Sequence, residues 1–455
     1  MTSSVLSTKE TYHVLDDLTV EVEVHQNPYH FQLDDLFQMA TRINKKRSFL
    51  FVSKVLGKHL AVNPHIPILV GSLLAMRYME VVHGFKDSRA AAVARAIQTN
   101  EQTEQLLESI RRQPIGLPQP TTFIGFAETA TALGHAVFST FENNAKYIHT
   151  TREEINERTS IIDFEEEHSH ATSHRVYARD LQFFQDDNEV VLVDDEITTG
   201  KTAINIIKTI SAAYPLKKVF TVVSILDWRS AEHRQRYHQL EQELGITIHA
   251  VALVDGAISV IGQPVLDESV VEVVPDSMQE LTYISMKELL FEPVTSTNEN
   301  GCRNDSPYLT ATGRFGHTIE EDNVFSRQLQ AAASQLKEQR RGAKTLVIGT
   351  GEFMYIPMQM AASMGPAVYF QATTRSPIHQ SDRDSYSIHN KFIFDSPENE
   401  GLTNHLYNIR ANQYDEIFIF IERMSTSNAT DTLLKQLRKT KIPYVTIVTM
   451  TEQVE

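Results

Sequence analysis

The chain has 455 residues, enough for two or three domains at roughly 150 residues each, which excludes a small module stapled by disulfides. Forty-two Lys plus Arg against 58 Asp plus Glu leave a formal charge of -16, which argues against nonspecific attraction to nucleic acid or to an anionic membrane face. The single cysteine, Cys302, excludes an internal disulfide and a multi-cysteine zinc site and fits a reducing cytoplasm.

The first residues lack a positive stretch followed by an apolar core, and no run approaches the roughly 18 apolar residues that span a bilayer. A cytoplasmic protein with neither membrane nor nucleic-acid partners is therefore expected. Residues 18–24 alternate apolar and charged side chains, the period of a half-buried strand, and Asn27-Pro28 breaks the chain. Residues 33–43 read as a short amphipathic helix. The basic stretch after them, RINKKRSFLFVSKVLGKH, could touch an anionic ligand or form a solvated helix end. Residues 90–112 read as a polar helix ending before Pro114. Strand and helix signals then alternate: a strand at 121–126, a helix at 129–133, a strand near Tyr147, the apolar run 190–193 leading into a helix at 202–211, and a strand at 219–226. That alternation predicts a parallel sheet covered by helices. A charged helix at 230–244 and strands at 246–253 and 270–274 follow. The polar stretch 295–306 has the composition of a linker, which divides the chain into a first domain at 1–294 and a second α/β domain at 307–455.

The segment EVVLVDDEITTGKTAINIIKTI, residues 189–210, carries the chemistry. Four apolar residues deliver Asp194 and Asp195 to the carboxyl end of a buried strand, and Thr198, Thr199, Gly200, Lys201 and Thr202 open a helix. A helix start offers unpaired amides and positive dipole to a phosphate, threonine hydroxyls add donors, and a glycine lets the backbone come close. Carboxylates one turn earlier can accept hydrogen bonds from the vicinal hydroxyls of a sugar. The pieces describe a pocket for a 5-phosphorylated ribose. Gly200-Lys201-Thr202 also ends the nucleotide-binding pattern G-x-x-x-x-G-K-[ST], but the first glycine would fall on Asp195, which cannot make the phosphate-wrapping turn.

VVLVDDEITTGKT resembles the phosphoribosyl-pyrophosphate loop of type I phosphoribosyltransferases, with Glu196 where that family often has an apolar residue. The resemblance implies that Asp194 and Asp195 bind the ribose hydroxyls and that Thr198 to Thr202 hold the 5-phosphate. It also implies a pyrophosphate loop after the first core strand, often with a cis peptide, at Ala127, Glu128 and Thr129. A mobile hood is implied over residues 150–180, with Arg152 and Arg175, and also Arg158 and Arg179, as pyrophosphate partners. His168, His170 and His174 beside residues 165–167 have a ligand-like spacing, yet loop histidines are commonly solvated. No protein-bound metal is expected; Mg2+ would come with the substrate.

The C-terminal part repeats this layout. FIGFAETATALGHAVF is echoed by VIGTGEFMYIPMQMAASMGPAVYF, Thr150-Thr151-Arg152 by Thr373-Thr374-Arg375, and the phosphate segment by DEIFIFIERMSTSNATDTLLKQL. Ile421 and Glu422 stand in the places of Asp194 and Asp195, so the copy has lost chemistry. Arg375 and Ser376, with Asp382 and His389 downstream, could form a second site; the alternative is a scaffold. The arrangement is similar to a bacterial family, found among tellurite and stress resistance genes, in which a phosphoribosyltransferase domain precedes a domain named for its Thr-Arg-Ser-Pro motif. The expected fold class is therefore α/β: a type I phosphoribosyltransferase-like parallel sheet with flanking helices, then a degenerate Rossmann-like α/β domain. The implied activity transfers the ribose 5-phosphate of phosphoribosyl pyrophosphate to a nucleobase-like acceptor, in making a nucleoside-like metabolite, and a homodimer is possible. A non-catalytic sensor of the same ligand is the alternative on this fold.

Overall fold

Val190, Val191, Leu192 and Val193 are fully buried, as a strand covered on both faces requires, and they lie in the parallel part of the larger of two main sheets. The computed structural model describes residues 8–15, 17–43, 48–156, 158–165, 173–266, 277–289, 295–297 and 300–450. In the first sheet five parallel strands run in the order Thr247–Ile261, Val219–Asp227, Glu189–Ile197, Thr121–Gly125, Ala145–His149. Leu18–Gln26 and Thr8–Leu15 extend one edge antiparallel, and the two-residue strand His317–Thr318 extends the other. Chain order reverses between Thr121–Gly125 and Glu189–Ile197. Right-handed crossovers on either side of that point place the following helices, Ala130–Phe138 and Lys201–Ala213, on opposite faces and open a crevice at the strands' carboxyl ends.

The second sheet is all parallel, in the order Glu280–Ser285, Tyr444–Thr449, Glu416–Ile421, Thr345–Gly349, Val368–Ala372. Its last four strands repeat the order of the first sheet. Each half also has an antiparallel hairpin between its second and third core strands, Ile162–Glu165 with Ser173–Val176 and Lys391–Asp395 with Thr403–Tyr407. The chain crosses the expected 295–306 division in both directions, since Glu280–Ser285 joins the second sheet and His317–Thr318 the first. Within 295–306 itself, Ser296 and Asn304 are buried, and they hydrogen-bond Glu153 Oε2 at 2.9 Å and the Glu398 carbonyl at 2.6 Å. A polar composition here reflects packed polar pairs rather than a free tether.

Several local expectations are corrected. The helix expected at 33–43 stops at Leu36, and Phe37–Thr41 pairs as a strand with Phe49–Ser53, in the stretch read as a basic helix end. The helix expected at 90–112 is two, Ala90–Thr99 and Thr103–Arg112, broken where Asn100 and Gln102 take positive φ. The strand expected at 270–274 lies outside the described residues, as do His168 and His170. Helix His65–His83 is long and apolar enough to cross a membrane by length and composition, contrary to the sequence reading, but it is mostly buried inside the fold and packs on Ala130–Phe138.

Candidate functional site

The crevice at the sheet reversal brings two loops together. Gly125 pairs with Val193, and the Phe126 amide donates to the Val193 carbonyl at 3.2 Å, so residues 126–129 start where Asp194 and Asp195 leave their strand. The Ala127–Glu128 peptide is cis, at the place where the sequence puts the pyrophosphate loop. Thr150 fixes this loop from the neighbouring strand: its amide donates to the Gly125 carbonyl at 2.9 Å, and its Oγ1 accepts the Ala127 amide at 2.9 Å.

Asp194, Asp195 and Glu196 are half-buried at the strand's end, and the Asp195 amide donates to Asp194 Oδ1 at 2.9 Å. Thr198, Thr199, Lys201 and Thr202 are half-exposed around the start of Lys201–Ala213. Gly200 has φ 72°, and a Cβ there would come within 2.6 Å of the Tyr237 hydroxyl, so glycine is required both by conformation and by space. Tyr237 donates to the Gly200 carbonyl at 3.2 Å. Its ring is covered by the Arg229 guanidinium at 4.1 Å, which Asp227 holds by hydrogen bonds of 2.7 and 2.9 Å. This buried support was not read from the sequence; its only signal is an Asp-x-Arg at the end of the next strand. Burial pushes the Tyr237 hydroxyl well above the ordinary tyrosine range, so it stays a donor.

Lys58 supplies a cation the motif lacked. Its ammonium donates to Thr129 Oγ1, so the basic stretch reaches the candidate phosphate site. The hood arginines have neighbours of their own. Arg175 lies near Glu154 and Asp163, at 3.8 and 3.9 Å, while its backbone pairs with Thr151. Arg158 covers the Phe315 ring at 4.9 Å, and Arg179 pairs with Glu321 at 2.7 Å. His174, the described member of the histidine run, is buried, stacks on Phe164 and hydrogen-bonds Thr150 Oγ1 at 3.0 Å.

The second half repeats this hydrogen bonding residue for residue. The Thr373 amide donates to the Gly349 carbonyl at 2.9 Å, and Thr373 Oγ1 accepts the Gly351 amide at 3.0 Å. Thr374 pairs with His405 as Thr151 pairs with Arg175. The Tyr407 hydroxyl accepts from the Ile378 amide at 2.9 Å as Tyr177 does from Ile155 at 3.0 Å. Gly349 faces Phe420 as Gly125 faces Val193, which puts Ile421 and Glu422 in the register of Asp194 and Asp195.

The halves meet through these same loops and reciprocally, as two copies around a twofold axis would. Glu352 Oε1 accepts the Arg152 amide at 3.1 Å. Its counterpart Glu128 accepts from Thr374 Oγ1 at 3.4 Å and lies 3.8 Å from Arg375 Nε. Arg375 therefore stands at the first half's loop. Ser376 gives its carbonyl to the Tyr407 hydroxyl at 2.6 Å, Asp382 is exposed, and His389 lines a hollow of about 260 Å³ with Gln38, Asn408 and Arg410.

In the second half the crevice is filled. Arg314 donates to both oxygens of Glu422, at 2.9 and 3.1 Å, and the Leu309 amide to one of them at 3.0 Å. Two guanidinium groups pack on the Tyr308 ring, Arg314 at 4.4 Å and Arg423 at 4.0 Å from its centre, and Arg423 pairs with Glu153 of the first half. All these side chains are buried. The paired arginines hold the Glu153 carboxyl at about 2, against the burial that would raise it.

Solved structures similar to the chain include adenine phosphoribosyltransferase from Leishmania donovani, 17% identical with a TM-score of 0.24, over 37% of this chain and 69% of that one. Another is an adenine phosphoribosyl transferase from Trypanosoma brucei in complex with AMP, pyrophosphate and ribose-5-phosphate, 18% identical with a TM-score of 0.22, over 32% and 64%. A hypoxanthine phosphoribosyltransferase from Staphylococcus aureus is 10% identical with a TM-score of 0.20, over 39% and 73%. Among curated proteins none matches significantly. Residues 36–257 match the family model described as phosphoribosyl transferase, and residues 311–437 match the TRSP domain that lies C-terminal to it. Between them the two matches take in both halves with their facing loops, and the chain belongs to the family of phosphoribosyltransferases that carry a TRSP domain, pentosyltransferases by class.

Proposed function

We propose that the first half transfers the ribose 5-phosphate of phosphoribosyl pyrophosphate to a nucleobase-like acceptor and releases pyrophosphate. The observation that carries this reading is the junction at the sheet reversal, where an acidic pair, a threonine-glycine helix start and the 126–129 loop leave adjacent strand ends. In the reaction the bond from the anomeric carbon to pyrophosphate breaks, its electron pair leaving with the oxygen. A ring nitrogen of the acceptor forms the new bond and loses its proton. Positive charge develops on the ribose, where Asp194 and Asp195 stabilise it and hold the vicinal hydroxyls. Amides and hydroxyls of residues 198–202 hold the 5-phosphate. Ala127, Glu128 and Thr129 bound the pyrophosphate end, with Lys58, Arg152 and Arg175 and, from the second half, Arg375 as cations there. The donor enters as its magnesium complex, and the carboxylates of the half-buried Asp194 and Asp195 suit a hard cation. The hood hairpin excludes water from the reacting carbon.

The second half takes the place a second subunit would occupy around this site. We place the protein in the cytoplasm, in the synthesis of a nucleoside-like metabolite under stress. Calorimetry with magnesium phosphoribosyl pyrophosphate, followed by a pyrophosphate-release screen of purines, pyrimidines and small amines, tests the reading. Binding lost in Asp194→Asn plus Asp195→Asn, with release for at least one acceptor, is expected. Absence of binding heat from the wild-type chain would sink it, and binding without release for every acceptor would leave a ligand sensor.

A further inference from the structure

Away from the crevice, three buried side chains from three elements converge on one point. His135 projects from helix Ala130–Phe138, His317 from the edge strand His317–Thr318, and Asp322 from the first turn of helix Ile319–Glu338. They are 0, 3 and 4% exposed. Both histidines aim Nε2 at the same oxygen, Asp322 Oδ1, at 2.8 Å from His135 and 3.4 Å from His317, and the three ligand atoms lie within 4.8 Å of one another. Neither ring nitrogen of His317 has a hydrogen bond of good geometry, nor does Nδ1 of His135. Buried polar atoms are rarely left so, and His317 Nε2, unsatisfied where the three ligand atoms converge, points to a missing partner.

We propose that His135, His317 and Asp322 hold one divalent transition-metal ion at the seam between the two halves. Two imidazoles and one carboxylate form a borderline nitrogen and oxygen set that suits zinc and is wrong for the all-oxygen preference of magnesium or calcium. Glu321 lies 3.6 Å from His317 Nδ1, on the far side of the ring, where a carboxylate would orient a ligating histidine. A pocket of about 390 Å³ lined by Arg179, Thr310, Glu320, Glu321 and Phe325 opens on His317, giving an entry path and room for a water as fourth ligand. The seam is stacked from the other side too, since the Tyr355 ring of the second half lies parallel to His135 at 3.7 Å. The site does not follow from the internal repeat: the residue of helix Tyr355–Ser363 in the place of His135 is Gln359, which hydrogen-bonds Arg111.

The test uses the full chain, purified without chelator or polyhistidine tag. Elemental analysis should find about one zinc per chain, as a site of three protein ligands completed by a water requires. After chelation, added Co2+ should produce the strong visible absorption of four-coordinate cobalt, zinc should abolish it, and zinc should raise the Tm of the metal-free chain. His317→Ala and Asp322→Asn should weaken Co2+ binding at least about tenfold, while His174→Ala in the hood leaves it unchanged. A folded wild-type chain that takes up neither metal and shows no change in Tm overturns the proposal, whatever the variants do. So does a cobalt signal that His174→Ala removes and His317→Ala retains.

Discussion

Asp195 and Glu422 occupy the same register position in two sheets of the same strand order, and their surroundings are opposite. Asp195 is half-exposed at an open junction; Glu422 is 2% exposed and clamped by Arg314. The difference comes from chain returning over the second crevice, where residues 308–314 insert a tyrosine and an arginine. A strand-end carboxylate that water can reach is available to a ligand, whereas the same carboxylate under a guanidinium has become part of the core. The fold provides the crevice twice, and only the covering decides which copy can bind.

This contrast is broken most directly by exchanging the roles. Asp195→Asn should lower pyrophosphate release by a factor of about 10² or more and leave the unfolding midpoint nearly unchanged, since it removes charge from an open site. Glu422→Gln should do the reverse. Arg314 would be left buried with half its partner gone, at a cost of about 3–5 kcal/mol in denaturant unfolding, with turnover per folded chain retained. Loss of turnover in a still stable Glu422→Gln chain would show chemistry in the second half.

Arg375 tests whether the second half contributes to the first site. Its guanidinium stands beside Glu128, in the reciprocal contact whose mirror is Arg152 with Glu352. Arg375→Ala should raise KM for phosphoribosyl pyrophosphate about tenfold, the scale of one charge-assisted contact, and Arg375→Lys should recover part of it. Asp382→Asn, on the exposed part of the same loop, should change nothing. An unaltered KM in Arg375→Ala would leave the second half as scaffold alone.

What the sequence disclosed follows from how local each signal is. The strand, the acidic pair and the helix start sit within residues 189–210, so composition and order expose them together. The repeat was visible because its three landmarks keep their order. Lys58 was not assignable, since its partner Thr129 is 71 positions away, and the plug was invisible because Arg314 and Glu422 are 108 positions apart. Helix His65–His83 escaped a search for amphipathic period because it is buried nearly all round and has no polar face to mark the turn. The strand at Phe37–Thr41 reads as helix in the sequence because its apolar residues fit either period over so short a run.

The smallest effect is in how stability follows pH, and it belongs to the filled half alone. Glu398 is buried beside Glu422, accepts from Thr350 Oγ1 at 2.7 Å and from the Glu422 amide at 3.0 Å, and its carboxyl is pushed up to about 8. Burial is the larger cause and the Glu422 charge the next. The folded value lies above the ordinary 4.5, so the folded chain binds the proton more tightly than the unfolded one. The stabilisation is therefore complete below about 4.5 and is lost as pH rises through about 8, the opposite sense to the paired carboxylates around it. Glu398→Gln keeps an acceptor for both hydrogen bonds and a donor in place of the acid hydroxyl, with nothing left to ionise. The Tm of the wild-type chain should fall between mildly acidic and mildly alkaline buffer by a few degrees more than that of Glu398→Gln, and pyrophosphate release should be alike in the two at neutral pH. Parallel Tm profiles would mean that water reaches Glu398, and with it that the second crevice is open after all.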